Sequence, residues 1–233
     1  MAAQRDTFMA LGFKIEQYNL DGLRHSTFIT EQLSRSTPET VLLVVDIDCI
    51  PINREAVTKA LEVANSGGLY GAAQCSNHLQ DTNHVFVAPC FMAIKTSTWD
   101  YLGLPSFEPD AHNDVGQRLT RCSESSRLKT VKLRPEFCLI PKYRMGEDFP
   151  YGIGTFFESG IFHLYESRKR VYEPIFLAVA QMIINQKQID YIGLFDLAFN
   201  AHLRQRRKDN LKFPFRKLRA FFRQIRALSF DGR

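Results

Sequence analysis

Val41-Leu42-Leu43-Val44-Val45-Asp46-Ile47-Asp48-Cys49-Ile50-Pro51 decides the reading of this chain. Five apolar residues, three of them Val, predict a buried strand. Two carboxylates follow where the strand runs out. Buried charge is costly unless it is paired or holds a metal. Along a strand, residues i and i+2 point to the same side. Asp46 and Asp48 are therefore expected to converge on one hard cation, Mg²⁺ or Mn²⁺. That expectation implies a phosphorylated substrate. The competing reading makes the two Asp turn residues or a helix cap at a solvated strand end.

Outward from this stretch, strand and helix signals alternate. Upstream, Arg5 to Leu11 reads as a short helix stopped by Gly12, and Phe13 to Tyr18 as a strand. Ser26 caps a predicted helix from Thr27 to Ser34, ended by Thr37-Pro38. Downstream, Asn53 caps a helix from Arg54 to Asn65, stopped by Gly67-Gly68. Leu69 to Gln74 reads as a strand, and Val85 to Ile94 as a central strand broken near Pro89. Thr96-Ser97-Thr98 starts a short helix carrying Trp99. Asn113 caps a helix from Asp114 to Ser123. Thr130 to Leu133 and Ile161 to Tyr165 are further strands. Between them, Pro150 to Gly160 reads as a glycine- and aromatic-rich loop over a site. From Pro174 to about Lys208 the pattern is helical. The alternation predicts an α/β sandwich with a mostly parallel sheet. Its boundaries are a catalytic unit over 1–173 and a helical region over 174–233.

Composition narrows the class. The chain has 233 residues, 45% of them apolar, enough for a sizeable core. Its net charge of +5 is local. From Arg204 to Arg233 there are eleven Lys or Arg against two Asp, while the remainder carries 19 Lys or Arg against 23 Asp or Glu. That argues against a nucleic-acid-binding body and for a tail that meets something anionic. Five cysteines without a CxxC pair give no zinc framework and suit a reducing cytoplasm. No signal peptide is visible, and the longest apolar run in the C-terminal third is too short to span a bilayer.

The strand ending in Asp-x-Asp, followed by a short turn and a helix, resembles the DxD motif of nucleotide-sugar glycosyltransferases with the GT-A fold. Asp46-Ile47-Asp48-Cys49-Ile50-Pro51 is similar to the LDxDxxP form of family-2-like members. Gly71-Ala72-Ala73-Gln74 looks like the strand after the DxD helix. Pro89-Cys90-Phe91-Met92-Ala93-Ile94-Lys95 resembles the segment lining the acceptor side. Asn113-Asp114-Val115-Gly116 looks like the acidic helix start carrying the base of inverting members. His163, with Ser167-Arg168 after it, resembles the late His that completes the metal shell. The resemblance covers roughly residues 13 to 170 and implies a GT-A-like αβα sandwich. The apolar strand with which the family usually opens is not evident before Phe13, so the first βα unit reads as shortened.

The implied chemistry is transfer of a hexosyl or deoxyhexosyl group from a nucleoside-diphosphate donor to a glycan or lipid-linked acceptor, with inversion, as in polysaccharide biosynthesis. Asp48 would bind Mn²⁺ or Mg²⁺ directly, and Asp46 would touch the metal or the ribose. His163 would complete the shell. Asp114 is the candidate general base, with Asp110 as backup and Glu108 behind it. His25, before a helix N-terminus, and Arg168, through its fork geometry, are candidate nucleotide contacts. Trp99 is the candidate acceptor-site residue, within a possible sugar platform of Phe107, Tyr151, Phe156 and Phe157. Each has an ordinary alternative: a helix-dipole acid, a structural His, a surface Arg, a core aromatic.

The segment 211–233 interleaves cations with apolar residues at helical spacing, Leu218, Phe221, Phe222, Ile225 and Leu228 sharing one face. It predicts peripheral contact with an anionic membrane; a docked helix with a wet basic face is the alternative. Two other functions stay open. A degenerate transferase fold would be a binding module. A haloacid-dehalogenase-like phosphatase also uses a strand ending in DxD, but wants Thr or Val where Ile50 stands.

Overall fold

A computed structural model describes residues 2–18, 22, 24–76, 84–145 and 149–228, with side chains through Asp209. The fold is α/β, with two four-stranded sheets and seven α-helices among those residues.

The first sheet has the order β1 (Val41–Val45), β4 (Phe86–Lys95), β3 (Leu69–Gln74), β5 (Thr130–Leu133). Only β3 and β5 pair in parallel; β4 runs antiparallel to both β1 and β3. The expected mostly parallel sheet is therefore corrected. The reason lies in adjacency. The helix α3 (Arg54–Asn65) does connect two strands of like direction, β1 and β3, but β4 inserts between them with the opposite direction. Alternation of helix and strand predicts direction; it does not reveal which strand comes between.

The second sheet is antiparallel throughout, in the order β2 (Cys49–Pro51), β8 (Ile161–His163), β7 (Phe149–Phe157), β6 (Pro135–Met145). β7 replaces most of the loop expected over Pro150 to Gly160. Gly152 and Gly154 sit within β7 because the neighbouring strand comes close: a Cβ on Gly152 would lie 2.5 Å from the Ile140 carbonyl oxygen.

Cap chemistry sets α3. The Asn53 side chain accepts from the Ala56 amide at 2.9 Å. Ala56, Ala60 and Ala64 then pack on Tyr70, Phe91 and Ala93 of the first sheet. The other face of that sheet is covered by Ile29 and Leu33 of α2 (His25–Arg35), Trp99 of α4 (Thr96–Tyr101) and Leu119 of α5 (Gln117–Ser125). The second sheet packs through Ile50, Phe156 and Phe162 on α6 (Glu173–Ile184) and on Leu194, Ala198 and Ala201 of α7 (Tyr191–Leu228). The helix α1 (Ala2–Ala10) lies against α6 and β2.

Several local expectations change. Phe13 to Tyr18 forms no strand. β4 runs through Pro89 as one strand, but its pairing with β3 slips there: the register passes from Gly71–Met92 to Ala73–Val87, so the extra residues around Pro89 bulge from β4. The helix expected from Asp114 starts at Gln117, after Gly116 at φ 85°, and its Cβ-free approach is close: a Cβ there would lie 2.9 Å from the Val87 carbonyl. The helical stretch after Pro174 divides at residues 185–190 into α6 and α7. The side chains of 211–228, and all of 229–233, lie outside the described residues, so the expected amphipathic face there is not described.

Candidate metal centre

Asp46-Ile47-Asp48 is a tight turn that joins the two sheets. The Cys49 amide donates to the Asp46 carbonyl at 2.9 Å, closing the turn. The Asp46 amide donates to the Cys90 carbonyl at 3.0 Å, which ties one end to the first sheet. The Leu164 amide donates to the Asp48 carbonyl at 2.9 Å, which ties the other end to the second. The two carboxylates converge through this turn and not through strand alternation. Gln4 of α1 fixes it from behind. Its Nε2 donates to the carbonyls of Asp46 at 2.6 Å and Cys49 at 2.9 Å, and its side chain is buried.

Strand pairing brings His163 to the same place. Cys49 stands opposite His163 in the β2–β8 ladder, so Asp48 emerges beside the imidazole. His163 Nε2 lies 3.2 Å from Asp48 Oδ1, and ligand atoms of Asp46, Asp48 and His163 all fall within 4.8 Å of one another. Burial is graded: the side chains of Asp46, Asp48 and His163 are 35%, 17% and 6% exposed. His25, at the first turn of α2, places Nε2 3.5 Å from Asp46 Oδ1 at the open side.

The electrostatics follow that gradient. Burial raises the pKa of Asp46, with His25 and His163 opposing and the Asp48 charge adding to it. Burial works the same way on Asp48, yet the charge and hydrogen bond of His163, with a hydrogen bond from Ser167, hold its carboxyl below the ordinary value. For His163, burial favours the neutral ring, but the neighbouring Cys90 and Asp48 push its pKa well above the usual imidazole value. Among the described residues its buried Nδ1 has no hydrogen-bond partner of ordinary geometry, while Tyr165 lies against the ring at 4.0 Å between centroids.

Two carboxylates and one imidazole suit a divalent cation that accepts oxygen and nitrogen, Mn²⁺ more readily than Mg²⁺. The residues fit such an ion: acidic oxygens at the open side, a buried nitrogen behind them, and a turn pinned by both sheets and by Gln4.

A cavity of about 260 Å³ opens on this cluster, lined by Asp46, His163, His25 and Asp114, with Tyr165, Cys90 and Gln74. Asp114 thus shares the cavity with the acidic turn. Its carboxylate accepts from the Val115 amide at 2.8 Å, and its own amide donates to Gln117 Oε1 at 2.9 Å. It belongs to the loop before α5, not to the first helical turn.

Other candidate residues lie elsewhere. Asp110 is exposed, accepts from the amides of His112 and Asn113, and pairs with Arg118. The His112 amide above all, with the Asn113 donors and Arg118, lowers its pKa to about 2 against an opposing desolvation. Asp110 is therefore a loop-closing residue. Glu108 is taken up by Thr27, Ser26 and Arg24, whose hydrogen bonds lower its pKa. Arg168 is exposed and does not line the cavity; its neighbour Ser167 is the one that reaches Asp48. Trp99 is 4% exposed and donates from Nε1 to the Pro105 carbonyl at 3.1 Å, within the core behind the first sheet. Phe107, Tyr151, Phe156 and Phe157 are likewise buried, so no sugar platform forms from them.

Sequence reasoning missed three contributors. Gln4 carries no local signal, because its role depends on docking of α1. Tyr165 lines the cavity, and its buried hydroxyl has no hydrogen-bond partner among the described residues; its signal was the i+2 spacing from His163. Ser167 was noted only as the neighbour of Arg168. The chain matches no family model, no curated protein and no solved structure among those compared with it.

Proposed function

We propose that this chain is a metal-dependent glycosyltransferase of GT-A-like architecture, moving a sugar from a nucleoside-diphosphate donor to a glycan or lipid-linked acceptor with inversion. The observation that carries the reading is the shared cavity, lined both by Asp46 and His163 of the acidic cluster and by a further carboxylate, Asp114. Transfer from a diphosphate needs positive charge at the leaving group and a base at the incoming hydroxyl.

In this reading Asp48 and His163 hold Mn²⁺ or Mg²⁺, and Asp46 completes the acidic side. The bound ion would supply Lewis-acid stabilisation of the leaving diphosphate. His25 orients Asp46 and offers a ring N–H toward a phosphate oxygen. Asp114 accepts the proton of the attacking hydroxyl, held in place by the Val115 amide.

A second reading, a binding module without turnover, draws on the cavity size. At about 260 Å³ it falls just below the ~300–1,000 Å³ usual for small-molecule sites. One experiment separates the two. Thermal stability is followed with Mn²⁺ and each of UDP, GDP and CDP, and donor-sugar release is followed in parallel. Ligand binding to the native state must raise the midpoint. The transferase reading expects a shift for at least one pair, and sugar release or transfer that Asp114→Asn removes. A shift without any release or transfer supports the binding module. No shift with any pair rejects both.

A further inference from the structure

We infer that α7 is a docking surface for an anionic lipid bilayer, with its apolar anchor at Ile192, Phe195 and Phe199. This does not depend on the transferase reading. Leu194, Ala198 and Ala201 bury the inner face of the helix against the second sheet. A helix turns about 100° per residue, so positions 191, 195 and 199 form one stripe with 192 beside it, displaced from that inner face. Along this stripe Tyr191 is 47%, Ile192 80%, Phe195 50% and Phe199 53% exposed. Tyr191 closes its edge against the body, with Phe137 at 5.5 Å and Phe156 at 5.2 Å between ring centroids. Four large apolar side chains exposed within nine residues of one helix make a patch, not scattered surface residues.

Charge selects the occupant. Directly after Phe199 the same helix exposes Arg204, Arg206, Arg207 and Lys208. Its backbone continues to Leu228, and between Arg204 and Leu228 the sequence carries ten Lys or Arg against one Asp. The rest of the chain has an excess of acidic residues, so this cationic run is a property of α7 alone. A polyanion such as RNA would use the cations and leave the apolar stripe in water. A second copy would cover the stripe and leave the cations unused. A bilayer containing anionic lipid uses both: headgroups attract the basic run, and Ile192, Phe195 and Phe199 enter the interface. Among the described residues no helix is long and apolar enough to cross a membrane, so the attachment is interfacial. The anchor thus lies upstream of 211–233, the segment that sequence patterning singles out.

The test is flotation of the full chain with phosphatidylcholine vesicles, with and without phosphatidylglycerol. The expected result is flotation only when phosphatidylglycerol is present. The triple variant Ile192→Ser, Phe195→Ser, Phe199→Ser should reduce the floating fraction at least tenfold, and so should Arg206→Glu, Arg207→Glu, Lys208→Glu. Both variants should keep the thermal transition, since these side chains are exposed. If the serine variant loses it, the indole introduced by Phe195→Trp serves instead, its emission shifting to the blue when phosphatidylglycerol vesicles are added; Trp99 is the only other Trp and is buried. No flotation with phosphatidylglycerol, flotation unchanged by the serines, or an unshifted indole overturns the proposal. So does a dimer in solution that the serine variant dissociates, because the stripe then belongs to a second copy.

Discussion

Two carboxylate–imidazole pairs stand at the ends of one turn, and they differ in everything but composition. Asp48 and His163 meet at 3.2 Å with side chains 17% and 6% exposed. Asp46 and His25 meet at 3.5 Å with side chains 35% and 37% exposed. The inner pair is set by the register of β2 on β8; the outer pair depends on where α2 begins. The pKa directions diverge as well: Asp48 is lowered and Asp46 is raised. The inner pair is a fixed electrostatic unit. The outer one is a solvent-facing contact whose carboxylate is held against its own preference, as a ligand position would be.

The largest break in this contrast comes from Asp48→Ala. It leaves the buried His163 without its carboxylate, and removing one partner of such a pair typically costs ~3–5 kcal/mol. Chemical denaturation should show a loss of that order, and any Mn²⁺-induced rise in the thermal midpoint should vanish. A chain as stable as the parent would mean the inner pair contributes nothing.

Next in size is the pH response of the metal-free protein. Asp48 titrates lower when folded, so its contribution is present above the unfolded value of ~3.9 and is lost as pH falls through the folded value. His163 titrates higher when folded, so its contribution is full below ~6.5 and is lost as pH rises through the folded value. The inner pair therefore stabilises most between those two unfolded values. Asp46 has the opposite sign to Asp48: its raised pKa makes stability fall as pH climbs from ~3.9 to its folded value. Denaturation across pH should flatten in Asp48→Asn on the acid side. In Asp46→Asn the neutral-pH stability should rise, by less than ~1 kcal/mol because solvent screens a side chain this exposed. The same Asp46→Asn should weaken Mn²⁺ binding, a gain in stability with a loss in ligand affinity. A fall in stability would remove the assignment of Asp46 as a strained carboxylate.

The smallest effect is His25→Ala. A pair this exposed contributes ~0–1 kcal/mol, so stability should barely move. Competition with protons should make Mn²⁺ bind more tightly as pH rises in both the parent and this variant, because His163 and not His25 carries the inner proton. Loss of that pH dependence in His25→Ala would reverse the roles of the two imidazoles.

A parallel contrast separates Asp114 from Asp110. They are four residues apart, yet one lines the cavity and the other latches Arg118 on the surface. General-base catalysis typically contributes ~10²–10⁴-fold. Asp114→Asn should lower transfer by that order with Mn²⁺ binding kept, whereas Asp110→Asn should leave the rate within a few-fold. Equal effects in a transfer assay would remove Asp114 from the chemistry.

What the sequence revealed follows from how local each signal is. The strand β1, the Asn53 cap and α3 were legible, since apolar runs and caps act within a few residues. The meeting of Asp48 with His163 could be expected only through a family resemblance. The register that produces it joins residues more than a hundred positions apart. The strands β6 and β7 were hidden by Pro135, Pro141, Gly152 and Gly154, residues that locally favour turns and are carried here by close strand pairing. The reversed strand β4 was read as a strand but not as the insertion between β1 and β3. Trp99 and the platform aromatics were assigned to ligand where burial in the core explains them. The role of Gln4 is wholly tertiary: a polar side chain near the N-terminus is unremarked until α1 docks and brings its amide to the turn.

The central claim is that the turn between the two sheets holds one divalent cation through Asp48 and His163. The most direct measurement is loss of the free Mn²⁺ electron paramagnetic resonance signal on titration with the full chain. The account predicts saturation at one ion per chain in the parent and in Asp110→Asn, with no binding in Asp48→Ala or His163→Ala that remain folded. Binding that persists unchanged in folded Asp48→Ala, or a parent chain that leaves the free Mn²⁺ signal intact with and without UDP, GDP or CDP, would contradict it.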